Sequence, residues 1–174
     1  MKRSKTQAGF SMLELAVVVM VIAVLSAILL HRLAAMTEDV ERVTFNGVKS
    51  NIQAQLTLQV SYWFAAQKQV SADALKMTNP MALIPHPPVN YLGEITVEDL
   101  RAALPERWYY VPKQHWLVYK VKRSAQLMNN YEERNLIPFQ LRAKFSNPQA
   151  NQGVAVGVEL TPVFGFEWRK VNDS

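Results

Sequence analysis

Few residues in this 174-residue chain are of a type and spacing that could do chemistry, and the most conspicuous is a carboxylate in an apolar setting. Glu14 sits inside FSMLELAVVVMVIAVLSAILL, residues 10–30, a run interrupted only by Ser11, Glu14 and Ser26. An acidic side chain near the middle of a bilayer costs about 2.5–3.5 kcal/mol on insertion scales, and less toward the interface, so its presence needs a reason. Gly9 stands five positions earlier, and a glycine lets another molecule approach the backbone of a chain otherwise committed to helix. Before it, Lys2, Arg3 and Lys5 make MKRSKTQAG short and basic. The plain alternative is a signal anchor in which Glu14 snorkels to the near interface and Gly9 is incidental.

Other chemistry is harder to find. His31, His86 and His115 are too scattered for metal-ligand spacing, and no HExxH, GxSxG, P-loop or GxGxxG pattern occurs. The chain has no cysteine, which removes disulfides, thiolate metal sites and a cysteine nucleophile. Neither an enzyme active site nor a cofactor or metal site is therefore expected. The formal net charge is +5, but Lys2, Arg3 and Lys5 supply three of those charges, leaving +2 for residues 10–174 and arguing against nucleic acid as a partner. Lys113, Lys120, Lys122 and Arg123 could form a DNA-contacting strip, yet alternation with Val121 reads better as a solvated strand face. Trp63, Trp108, Trp116 and Trp168 could form an adhesive surface, but tryptophans in a small domain more often serve as core or interface anchors.

The elements that position these residues follow from periodicity. As a helix, residues 10–30 would be about 31 Å long, enough to cross a bilayer core. The basic leader is denser in charge than the far side, where Arg32 and Arg42 lie, so the N-terminus is expected to stay in the cytoplasm and the C-terminal body to lie on the far side of the membrane. Apolar positions Val40, Val43, Ile52, Leu56, Val60 and Phe64 continue at mostly helical spacing, which predicts one helix from about Phe10 to about Lys68, amphipathic in its outer half. Asn79 to Gly93 holds Pro80, Pro85, Pro87 and Pro88 and reads as an extended loop. Thr96 and Asp99 have near capping-box spacing, so Val97 to Leu104 reads as a short helix stopped at Pro105.

The remainder reads as strands. Trp108 to Val111 and Trp116 to Lys122 flank Pro112 to His115 as a hairpin. Ile137, Phe139, Leu141, Ala143 and Phe145 alternate, as in a strand with one buried face, and Val154 to Trp168 supplies a last strand broken near Pro162. The expected fold is α+β, a long N-terminal helix packed on a small antiparallel sheet of about four strands. The expected organisation is a leader over 1–9, a membrane and assembly helix over 10–30, an amphipathic continuation over 31–69, and a globular domain over 70–174.

Gly9-Phe10-Ser11-Met12-Leu13-Glu14 resembles the processing site of type IV prepilins and type II secretion pseudopilins. The resemblance combines residue identity with position: a basic leader, Gly, Phe, and Glu fifth in the apolar span. It implies that a prepilin peptidase cuts after Gly9, that the new N-terminal Phe10 is N-methylated, and that Glu14 pairs with the Phe10 amine of a neighbouring subunit during assembly. The implied partners are the peptidase, other pilin or pseudopilin subunits and the inner membrane, with no small-molecule substrate. NPM at 79–81, NYLG at 90–93 and the 108–119 hairpin are similar to a pattern in minor pilin-like proteins, including some of mannose-sensitive hemagglutinin pili.

The chain also departs from the family. His31 stands where many pilins have a proline, cysteine is absent, and Glu159, Glu167 and Asp173 lack the spacing of a calcium loop. These departures favour a minor subunit over a major one. Two other readings stand beside a structural fibre subunit. One is a tip pilin that binds a ligand for adhesion or DNA uptake, and the other is an unprocessed single-span anchored protein.

Overall fold

The computed structural model describes residues 11–67, 71–145 and 155–169. The first element is helix α1, Met12–Ala65, which no proline interrupts and which contains a single glycine, Gly47. Ser11 starts it: the Leu13 N–H donates to Ser11 Oγ at 3.1 Å, satisfying one of the donors a helix start leaves free. The chain divides into two units, Met1–Thr37 and Glu38–Ser174. In the first, every described side chain of α1 up to Leu33 is exposed, including Leu15, Val18, Ile22, Leu25 and Leu29.

In the second unit the rest of α1 packs on a five-stranded mixed sheet, giving a pilin-like α+β fold. The strands are β1 (Tyr91–Glu94), β2 (Arg107–Val111), β3 (Trp116–Lys120), β5 (Leu136–Phe145) and β6 (Ala155–Pro162), in the order β1-β2-β3-β5-β6. A separate two-stranded ribbon pairs β4 (Leu127–Asn129) with β7 (Phe166–Trp168). The expected sheet of about four antiparallel strands is thus corrected in number and in direction, because β1 runs parallel to β2, with Tyr91 opposite Trp108. Two short helices, α2 (Ala72–Met77) and α3 (Val97–Leu100), and a 3-10 turn at Pro80–Ala82 lie in the connections.

Phe45, Ile52, Leu56 and Val60 face the sheet at helical spacing and pack with Trp108, Leu117, Tyr119, Ile137, Phe139, Leu141, Val158 and Leu160. Phe45 is the hub: its ring stacks on Trp108 at 5.6 Å between centroids and meets Tyr119 at 4.9 Å. The alternate residues Tyr109, Val111, Val118 and Leu136 point to the other face, where Leu100 of α3 joins them in a second cluster. Covering both faces explains the nearly continuous apolar runs in β2 and β3.

Several local expectations are revised. The α1 face that packs begins at Glu38, Glu41 and Phe45, whereas Val40, Val43 and Phe64 are exposed. The helix ends at Ala65 rather than Lys68, and α3 stops at Leu100 rather than Leu104. Its Thr96 cap is present, with Thr96 Oγ1 accepting from the Asp99 N–H and donating to Asp99 Oδ2 at 2.8 Å. The 108–120 hairpin forms with Val111 opposite Trp116, and His115 closes the turn in the left-handed region, at φ 55°. Its second strand stops at Lys120, two residues short. Lys120 is not on a solvated face: it is buried, and its ammonium donates to the carbonyls of Leu100 at 2.9 Å and Arg101 at 2.6 Å. Lys122 pairs with Glu106, so the imagined cationic strip is broken at its centre.

Candidate assembly helix and its carboxylates

Besides Asp39, which pairs with Arg42 at 3.1 Å, α1 carries carboxylates of two kinds. Glu14 lies in its first turn, on a segment apolar on every side. The N-terminal end of a helix carries partial positive charge, which favours an acidic side chain there by about 0.3–1 kcal/mol. Among the described residues α1 is the one helix long and apolar enough to cross a membrane, with a mean hydropathy of 2.9 over its best 18-residue window. A helix apolar all round is stable only when something other than water surrounds it. Gly9 and Phe10, the expected cleavage and N-methylation positions, lie outside the described residues.

Glu38 and Glu41 are the second kind, and periodicity alone did not single them out. Both are buried, each 4% exposed, one helical turn apart on the face that meets the sheet. Glu41 accepts from the backbone N–H of Lys122 at 2.8 Å and of Arg123 at 3.2 Å, and from the Tyr119 hydroxyl at 3.4 Å. Glu38 Oε1 accepts from the Gln126 N–H at 2.8 Å and from the Trp168 indole N–H at 3.3 Å. The pair fastens the segment after β3 and the β7 strand to the helix, satisfying donors that no sheet ladder reaches. Burial pushes the Glu41 carboxyl up from the ordinary carboxylate range, and the two backbone N–H groups oppose that shift. Burial likewise raises Tyr119, and it lowers the Lys120 ammonium.

The other singled-out side chains have structural places. Trp108 is fully buried, while Trp63 and Trp168 pack against the main core and Trp116 against the second cluster. His31 is exposed on α1, His86 lies in the proline-rich loop, and His115 is 3.4 Å from the Tyr110 hydroxyl. Among the described residues no group of three or more His, Cys, Asp or Glu side chains could hold a metal ion.

The fold and this helix define a class: an α+β protein whose long N-terminal helix is apolar and exposed on every described side up to Leu33 and packs the rest of its length on a mixed sheet. Residues 4–30 match the family model described as the prokaryotic N-terminal methylation motif. That match marks the chain as a type IV pilin- or pseudopilin-like prepilin, a structural family, and with the apolar helix it fits anchoring in the inner membrane. No curated protein and no solved structure matches the chain significantly.

Proposed function

We propose that the chain is a minor structural subunit of a type IV pilus-like or pseudopilus fibre. Residues 10–30 hold it in the inner membrane, N-terminus in the cytoplasm and body in the periplasm, until it enters the fibre. Prepilin peptidase removes residues 1–9 by cutting after Gly9, Phe10 is N-methylated, and the Phe10 amine pairs with Glu14 of a neighbouring subunit. The observation that carries this reading is a helix apolar on every side with a single carboxylate between residues 11 and 37, Glu14, five positions after Gly9. In a low-dielectric helix bundle that charge needs a cation, and the amine released at Phe10 is the nearest one the chain can make.

The test is N-terminal mass spectrometry of the native protein, with and without prepilin peptidase, combined with Glu14→Leu. Cleavage should leave Phe10 as the first residue. The variant should insert and be processed nearly as the wild type, because a costly charge has gone and Gly9 and Phe10 remain. It should be strongly depleted from sheared fibres and from crosslinks to partner pilins. An intact Met1, a cut elsewhere, or normal fibre entry of Glu14→Leu would sink the proposal.

A further inference from the structure

In a β-strand the N–H and C=O of one residue point to one side and those of the next residue to the other, so an outer strand presents a row of open peptide groups to which a further strand can pair. β6 is such a strand, with β5 on one side and, among the described residues, no strand on the other. Part of its open row is nevertheless taken. Gln53 of α1 lays its carboxamide along it, Nε2 donating to the Val158 carbonyl at 2.9 Å and Oε1 accepting from the Leu160 N–H at 2.8 Å. We infer that Gln53 closes this edge, keeping β6 from pairing with β6 of a second copy of the chain.

The carboxamide stands where the peptide group of a neighbouring strand would stand, one donor and one acceptor spanning residues two apart. Its orientation is fixed as well. The remaining Nε2 hydrogen goes to Thr57 Oγ1 at 3.1 Å, and that hydroxyl donates in turn to the Gln53 backbone carbonyl at 2.9 Å. The same position is where β6 complements itself. Two copies running antiparallel about Glu159 would set Val158 of each opposite Leu160 of the other and exchange four N–H···O bonds, two of which need the Val158 carbonyl and the Leu160 N–H that Gln53 holds. The two edges of the sheet differ in how much closing they need. β1 has four residues, an irregular register and Gly93 at φ +97°, which already spoil it as a template, whereas β6 has eight residues and meets a proline only at its last position, Pro162. The edge lies within the Glu38–Ser174 unit, so the inference stands independently of processing at Gly9.

The chain has no cysteine, so one introduced thiol reports on pairing without background. The Glu159 side chain is exposed. In the antiparallel pair it faces its own counterpart at a non-hydrogen-bonded position, with Cα atoms about 4.5 Å apart, within disulfide range. In the full chain, in detergent and under mild oxidation, Glu159→Cys combined with Gln53→Ala should give about tenfold more disulfide-linked dimer than Glu159→Cys alone. Gln53→Met, which keeps the length of the side chain without its amide, should do the same with an unchanged circular dichroism spectrum. Thr161→Cys, which this pairing sets opposite Gly157, should stay monomeric with either residue at position 53. Equal dimer from Glu159→Cys with and without Gln53, or dimer from Thr161→Cys to the same extent, would overturn the inference. So would a loss of thermal stability in Gln53→Met without dimer, because Gln53 would then only tie β6 to α1.

Discussion

The two parts of α1 obey opposite rules within one helix. Between Met12 and Leu33 every described side chain is exposed, although nearly all are apolar. From Glu38 onward a single stripe is buried, although it begins with two glutamates. Hydrophobicity by residue type therefore does not say what a segment packs on. The first part carries apolar surface for a bilayer or for other helices, whereas the second spends polar and apolar groups alike on its own sheet.

The largest expected contrast comes from truncating equivalent apolar groups in the two parts. Phe45→Ala removes the ring at the centre of the aromatic core and should cost about 3–5 kcal/mol in denaturant unfolding of the globular unit. Near-wild-type stability would mean that the Phe45 packing is dispensable. A smaller effect belongs to the buried glutamates. Glu41→Ala leaves the Lys122 and Arg123 N–H groups without their acceptor and should cost about 1–3 kcal/mol by the same measurement.

The pH dependence of that site has a definite sign. Burial raises the folded-state pKa of Glu41 above its ordinary 4.5, so the folded state binds the proton more tightly than the unfolded state. Its contribution to stability is then largest below 4.5, falls as pH rises through the raised pKa, and is flat beyond it. Comparing wild type with Glu41→Gln should show that this downward slope is missing from the variant; matching slopes would mean that Glu41 does not titrate differently on folding. The smallest effect should come from Ile22→Ala, which changes unfolding of the globular unit by less than about 0.5 kcal/mol because Ile22 touches no core. A loss comparable to that of Phe45→Ala would erase the distinction between the two parts of the helix.

Much of this architecture could be read from local signals. The long helix follows from an unbroken apolar and then periodic run without proline, the 108–120 hairpin from aromatic and β-branched arms around Pro112, and β5 from the alternation of Ile137, Phe139 and Leu141. Strand β1 was hidden because its four residues follow Pro87 and Pro88, include Gly93 at φ +97°, and owe their conformation to parallel pairing with distant β2. The ribbon of β4 and β7 is likewise a long-range pairing of three-residue pieces. Glu38 and Glu41 look like solvated helix residues until the backbone donors some 80 residues away are in place. Val40 and Val43 misled for the converse reason, since apolar spacing fixes a helical face but not which face meets the sheet. Of the assembly motif, Glu14 is placed on the helix, while Gly9 and Phe10 are known by position in the sequence alone.

The bond from Glu38 to the Trp168 indole also imposes an order in time. It joins residues 130 positions apart, so at ordinary synthesis rates roughly 10 s separate the emergence of its two ends from the ribosome. Residues 10–30 emerge first and can engage the membrane while the sheet that covers Glu38 and Glu41 does not yet exist. Throughout that interval both carboxylates lack the backbone donors that later satisfy them and remain in water. The donors that later lock Glu38 and Glu41 into the finished domain are thus made only after the helix that carries both carboxylates has left the ribosome.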